Sequence, residues 1–407
     1  MGKKKAVLQI NAVYGKGSTG EISRDISAVA LECGWDSYVA CSIKPSGITK
    51  ETGIILIGNL LDHKLHAMFS RLFGLQGYYS HIATYVFLKK IDAINPNIIH
   101  IHNIHSNYLN MKMLFRYIKR KKIPTIISLH DCWYYTGKCY HYLYDNCSRW
   151  QEKCGSCPRL KKEIPSYFSD CTRLVLADRE KYIGNNPYVN VVGVSDWITS
   201  EARKSVLKSR VFGTIHNGVD LSVFLPKNDN LRDELQLTDK FVILGMANKW
   251  LSEDNVDTLR YITEKIDQDS ALVLIGCKQD SELPVGVIGI PFVKDRNLLA
   301  SYYSMADVFV NVTKVDTLPT VNIESIACGT PVVTYNSGGS AEIVDKETGY
   351  VVPYGDYKEL FCSIESVKKN GKRHYSASCV ARSRAKFDNR NCYKEYISLY
   401  ESILKNT

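Results

Sequence analysis

Short apolar runs rich in Val and Ile alternate along the chain with longer, helix-patterned segments. A first set comprises AVLQI (6–10), DSYVACS (36–42), NIIHIHN (97–103), PTIISLHD (124–131) and VNVVGVS (189–195). A second comprises FVILGMA (241–247), ALVLIG (271–276), VGVIGI (285–290), DVFVNV (307–312) and PVVTYN (331–336). Stretches such as GEISRDISAVALECG and NLLASYYSMA, and the terminal CYKEYISLYESILKNT (392–407), carry helical periodicity. An apolar run without polar alternation is buried on both faces, which predicts parallel strands joined by crossover helices. The turn-rich HNGVDLSVFLPKNDNLRDELQLTDK (216–240) separates the two sets. The chain is therefore expected to be α/β, with two doubly wound, Rossmann-like domains, residues 1–215 and 216–391, and a cleft between them. Ligands of such sheets sit at the carboxyl ends of the strands, so each strand-to-loop junction is a place to look for chemistry.

A length of 407 residues suits two cores rather than one. No apolar window approaches the ~18 residues of a membrane-spanning helix. The apolar run after MGKKK is too short for a secretion signal and reads as the first strand. The expectation is a cytoplasmic protein whose thiols stay reduced. Charge sharpens this picture. The net charge is +10, yet residues 1–212 hold 30 Lys and Arg against 16 Asp and Glu, while the remainder holds 22 against 26. Basic clusters stand at Lys119–Lys122, Lys161–Lys162 and Arg203–Lys204. Solvated helix ends explain any one cluster; the one-sided field suits an anionic partner, such as a membrane surface or a phosphorylated substrate. Recognisable nucleic-acid reader motifs do not accompany it, so no nucleic-acid partner is expected.

Four junctions carry candidate chemistry. After the first strand, Gly15, Gly17 and Gly20 permit a tight turn, Ser18 and Thr19 can cap the next helix, and its first amides (Gly17–Gly20) can hold a phosphate or sugar hydroxyl. This is neither a dinucleotide fingerprint nor a P-loop. The third strand ends in His100, His102, Asn103 and His105. Residues 100 and 102 share a strand face, so packed histidines, an H-x-H metal pair and polar contacts of an acceptor pocket are all open. The next strand delivers His130 and Asp131 at a strand end. In the second half, Asp316 and Glu324 flank a turn with Pro319 that opens a helix.

The segment HDCWYYTGKCYHYLYDNCSRWQEKCGSCP (130–158) adds Cys139, Cys147, Cys154 and Cys157, spaced C-x₇-C-x₆-C-x₂-C. The last pair has the spacing of a zinc knuckle, with Gly155 easing the turn. A structural zinc, disulfides and unpaired thiols remain the three readings. The loop shows no periodicity that would give it a core of its own, which a metal would supply.

The ordered set GSTG (17–20), HIHNIHSNYLN (100–110), SLHDCW (128–133), VSDWI (194–198), HNGVDLSVF (216–224) and ADVFVNVTKVDTLPTVNIESIACGTPVVTYNSG (306–338) resembles that of the retaining GT-B-fold glycosyltransferases of bacterial capsule and lipopolysaccharide synthesis, glycosyltransferase family 4. The resemblance covers nearly the whole chain and implies a GT-B architecture in which the terminal helix, 392–407, crosses back to the first domain. It implies a nucleotide-sugar donor held by the second domain and a glycan acceptor, lipid-linked in surface polysaccharide synthesis, for an enzyme peripheral on the inner membrane face. Glu324 would bind the donor ribose. Asp316, with the backbone of Leu318, Pro319 and Thr320, would engage the donor sugar and diphosphate, and His130 would serve the reacting sugar. Catalysis would need no metal ion or other cofactor.

One stretch departs from the family pattern. A basic pair normally follows the first strand of the second domain, but GMANKWLSEDNVDTL places Glu253 and Asp254 there, with Asn255 in place of a glycine. Glu21 and Val315 also differ from the usual residues. Lys249 or Arg24 is expected to compensate for the lost cations. The alternative reading is a catalytically impaired relative that binds glycans or partners.

Overall fold

The computed structural model describes residues 4–43, 53–279 and 282–406. The chain divides into two compact units, Met1–His216 with Cys392–Thr407, and Asn217–Asn391.

The first unit holds a wholly parallel sheet of β1 (Ala6–Ile10), β2 (Asp36–Cys41), β3 (Gly53–Leu56), β4 (Ile98–Ile101), β5 (Thr125–Leu129), β6 (Val189–Gly193) and β7 (Val211–Thr214). Its order is β3-β2-β1-β4-β5-β6-β7. The order reverses between β1 and β4, the place where open sheets of this kind bind ligands. Helix Gly17–Glu32 lays Ile22, Ile26 and Val29 in the same core as Val7, Ile98 and Ile126. The last helix, Asn389–Lys405, contributes Tyr393, Tyr396, Ile397 and Tyr400 to that core.

The second unit repeats the plan with β8 (Phe241–Met246), β9 (Ser270–Cys277), β10 (Val287–Pro291), β11 (Val308–Asn311), β12 (Val332–Tyr335) and β13 (Gly349–Val352), ordered β10-β9-β8-β11-β12-β13. Here the reversal lies between β8 and β11. These two sheets are the Rossmann-like pair that the hydrophobic pattern predicts. Ten strands match predicted runs; β3, β7 and β13 do not, and all three are sheet edges with mixed burial. An edge strand packs on fewer neighbours, so its sequence lacks the apolar run that marks a central strand.

Candidate functional site

In the first unit, the glycine-rich turn, the end of β4 and the end of β5 converge at the sheet reversal. Gly15 and Gly17 take φ of +63° and +65°, which a side chain would resist, and the Gly15 amide donates to the Gly20 carbonyl at 2.9 Å. The helix begins at Gly17 behind Lys16, and no side chain caps it. This corrects the capping expected of Ser18 and Thr19, which stand inside the first turn. The buried Asn11 ties the region together: its Nδ2 donates to the Thr19 carbonyl at 3.0 Å, and its Oδ1 accepts from the Asn103 amide at 3.3 Å.

The histidines form a fixed relay rather than a metal pair. His100 bonds Tyr400 Oη at 2.6 Å and Ser128 Oγ at 2.8 Å, so neither ring nitrogen is left for a metal. His102, fully buried, is engaged at Nε2 by Gln9 Oε1 at 2.9 Å and at Nδ1 by His130 Nε2 at 3.0 Å. Gln9 spends its own amide hydrogens on Ser23 O and Ser27 Oγ, so its Oε1 must accept. His102 therefore donates from Nε2 and accepts at Nδ1, which sets the His130 proton on Nε2. Burial lowers both rings, His130 to about 4, keeping them neutral near pH 7. His102, expected as an acceptor contact, is a support for the half-buried His130 instead.

His105 Nε2 meets Asp131 Oδ2 at 2.9 Å, and Asp131 Oδ1 accepts from the Trp133 amide at 2.8 Å. Burial pushes the Asp131 carboxyl up, but His105 and the amide outweigh it, leaving it below its ordinary range. Asn103 Oδ1 and His105 Nδ1 are buried without a hydrogen-bond partner. Orphaned polar atoms at a strand end are places for a ligand's hydroxyls.

The cysteine-bearing loop after β5 does have a core, contrary to its sequence pattern. Trp133, Tyr134, Tyr135 and Trp150 are buried, and the Trp150 ring packs 5.0 Å from Tyr135 and 4.8 Å from Tyr142. Cys139, Cys147, Cys154 and Cys157 are all free thiols lining one small cavity in it.

In the second unit, the reversal point gathers the donor-side residues. Helix Thr320–Ala327 starts behind Pro319 with no side-chain cap, which leaves its leading amides and their partial positive charge for an anion. Glu324 sits one turn in, its Oε2 accepting from Tyr303 Oη at 2.9 Å, with a further bond to the Thr320 side chain. Burial raises its carboxyl, opposed by Tyr303 and Arg296. Asp316 Oδ1 accepts from the Leu318 amide at 3.2 Å, which folds the turn before the helix.

The place of the absent basic pair has its own arrangement. Asp254 pairs with Lys314 at 2.8 Å, two residues before Asp316 in the chain. Lys314 is the cation that sequence reasoning missed, though it lies inside the TKVD stretch. Arg24, in the first unit, pairs with Glu21 and Asp25. Among the described residues no ion pair is recorded for Lys249. Asn255 clasps the loop, its Nδ2 reaching Lys249 O at 3.0 Å and Val312 O at 2.9 Å. The expected glycine is replaced here by a side chain that holds β8's loop to the end of β11.

Gly338 lets the turn after β12 close over Asp316, whose carbonyl accepts from the Gly339 amide at 3.0 Å. A Cβ on Gly338 would stand 1.9 Å from that carbonyl, at φ +56°. Gly338→Ala is expected to cost about 1–3 kcal/mol of local strain. Thermal melts and nucleotide titration check this: a lower midpoint and weaker nucleotide binding are the expected pair of results.

These two parallel sheets and their reversal-point sites define the GT-B glycosyltransferase fold. Sucrose-phosphate synthase from Thermosynechococcus elongatus superposes with a TM-score of 0.70 at 16% identity, covering 99% of this chain and all of that one. Anabaena HepE in complex with UDP-glucose gives 0.66 at 14% identity over 98% and 99%. WaaG, a glycosyltransferase involved in lipopolysaccharide biosynthesis, gives 0.64 at 13% identity over 98% and 99%. Residues 238–370, within the second unit, match the family model Glycosyl transferases group 1. Among curated relatives, WcaC of Escherichia coli K12, named as a colanic acid biosynthesis glycosyl transferase, is 23% identical over 76% of this chain and 77% of its own. CapM of Staphylococcus aureus, a capsular polysaccharide biosynthesis glycosyltransferase, is 26% identical over 52% of this chain and 59% of its own.

Proposed function

We propose that the protein transfers a sugar from a nucleoside diphosphate sugar to a glycan acceptor in surface polysaccharide biosynthesis, with retention of anomeric configuration and without a catalytic metal. The observation that carries this reading is the grouping, in the second unit, of Glu324, the uncapped helix start at Thr320 and the Lys314–Asp254 pair at one reversal point. Glu324 takes the ribose hydroxyls. The helix amides and the cations Lys314 and Lys249 take the diphosphate, whose growing charge is the main demand of bond cleavage. The departing phosphate oxygen accepts the acceptor's proton, so no strong protein base is required. His130 is suited to contact a sugar as a neutral ring held in one tautomer. HepE and WaaG, described above with UDP-glucose and lipopolysaccharide biosynthesis, support the donor class and the setting.

An impaired relative is the competing reading, and it rests on Glu253 and Asp254. Lys314, paired with Asp254, and Lys249 on the loop after β8 together offset the charges of Glu253 and Asp254, so the active reading is preferred. Incubating the full chain with a panel of radiolabelled nucleotide-sugars and membrane-extracted lipid-linked glycans tests the proposal. Label in the glycan supports it; nucleotide binding without transfer to any acceptor favours the impaired relative.

The acceptor is assigned as lipid-linked, presented at an anionic membrane surface. No helix among the described residues is long and apolar enough to cross a membrane. Helix Leu60–Phe73 leaves Leu60, Leu61, Leu65 and Met68 exposed, and helix His81–Ile94 leaves Ile82 and Val86 exposed. The second of these packs on helix Met111–Lys121, whose Arg116, Lys119 and Arg120 line a groove with Lys181. Apolar side chains beside cations fit an anionic lipid surface. Co-sedimentation with phosphatidylglycerol vesicles at low salt is expected, reduced several-fold by Lys119→Glu with Arg120→Glu; equal recovery with neutral vesicles contradicts the docking.

A further inference from the structure

We infer that Cys139, Cys147, Cys154 and Cys157 bind one structural Zn²⁺ ion that staples the loop following β5. All four cysteines line a single cavity of about 20 Å³, room for about one water-sized particle. Cys139 and Cys157, eighteen positions apart in the chain, are brought within electrostatic reach of each other. Gly137 packs against the Cys154 end of the loop, so close that an added Cβ would stand 3.0 Å from the Cys154 Cβ.

The charge around the cluster is the second, independent observation. Four thiolates on Zn²⁺ carry a net charge of about −2, which a protein interior must offset. Lys138 is 8% exposed, lies within electrostatic reach of Cys139 and Cys157, and has only the carbonyls of Arg159, Leu160 and Lys162 as hydrogen-bond partners. Arg179 is 1% exposed, stacks 4.1 Å from the Trp133 ring, and leaves Nε and Nη1 without partners. Its charge reaches Cys154 and Cys139. Among the described residues neither cation forms a carboxylate ion pair; Glu163 acts on Lys138 and Asp131 on Arg179 only at longer range, and the cysteines share that reach. Beside a dianionic tetrathiolate they are its counter-charge.

The loop can close on the ion. No three of these sulfurs all lie within 4.8 Å of one another, whereas a Zn–S bond of about 2.3 Å sets tetrahedral sulfurs about 3.8 Å apart. Closing on the ion brings the Cys154–Cys157 turn inward. Gly155 and Ser156 take φ of +137° and +45°, and the turn is held by Arg149 on the Gly155 and Ser156 carbonyls and by Asp170 on the Cys157 amide. Binding displaces up to four thiol protons as the four Zn–S bonds form. The ion holds the outer turn of the loop, while the aromatic cluster around Trp150 holds the inner part.

Metal analysis of the full chain, purified under reducing conditions without chelator, tests this. One equivalent of zinc per chain is expected. Cys154→Ser and Cys157→Ser should each retain less than a tenth of it, while Cys171→Ser, outside the cluster, keeps it. Because a serine variant can fail to fold, Cys157→His, which keeps a zinc ligand, should recover metal where Cys157→Ser does not. Replacement by Co²⁺ should produce the visible bands of a tetrahedral thiolate site. Absence of metal with all four thiols freely alkylated in the native protein, a disulfide between any two of them, or iron in place of zinc would each overturn the assignment.

Discussion

Glu324→Ala is expected to lower nucleoside diphosphate affinity by two to four decades. Two hydrogen bonds from ribose hydroxyls to a carboxylate, each worth about 1.5–3 kcal/mol, are lost together. The carboxylate is held for this task. Tyr303 Oη at 2.9 Å and the Thr320 side chain fix its orientation, and it stands one turn into the helix that follows Pro319. Removing it also strands the buried Tyr303 hydroxyl, so the alanine variant should lose some stability. Glu324→Gln separates the two effects. The amide oxygen still accepts from Tyr303 and the fold keeps its melting point, while the ribose is offered one acceptor instead of a charged pair. Calorimetric titration of both variants, with thermal melts alongside, checks the prediction. Unchanged affinity in both would remove Glu324 from the donor site.

The second large effect is on stability in mild acid. His66, His100, His102 and His130 are all lowered by burial, His66 and His100 to about 3 and His130 to about 4, from an ordinary value of 6.5. Between pH 6.5 and about 4 the unfolded chain takes up protons at these rings and the native fold does not. Stability is therefore fully present above pH 6.5 and falls as pH drops through that window. Each ring contributes a slope of about 1.4 kcal/mol per pH unit. Glu324, raised by burial, opposes this by at most one proton. The lowered Asp131 acts only below its ordinary 3.8 and lies outside the window. Urea unfolding from pH 7 to pH 5 should show the midpoint falling steeply. A flat profile would mean that the relay is not neutral and closed as described.

Much of this architecture is legible in the chain because its central strands are buried on both faces and so read as unbroken apolar runs. The edges β3, β7 and β13 are not, because each carries exposed and only partly buried positions. The placement of His130 at a strand end and of Glu324 in the helix after Pro319 follows from the pattern alone. What holds them does not. Gln9 and Asn11 sit within an apolar strand and its exit, AVLQIN, where nothing marks them as polar supports. Only the pairing of β1 with β4 brings Gln9 to His102. Lys314 was hidden for a related reason: its partner Asp254 is sixty positions away, brought near because β8 and β11 are neighbours. Local sequence reports burial and turns well, but contacts across a sheet reversal depend on strand order.

That same reversal point decides the central claim, that the second unit holds a nucleotide-sugar donor. The direct measurement is calorimetric titration of UDP, GDP and ADP into the full chain without added divalent cation. Saturable binding of at least one nucleotide at one site per chain, abolished by Glu324→Ala and weakened at least about tenfold by Lys314→Ala, is the predicted result. Failure of all three to bind saturably would contradict the account.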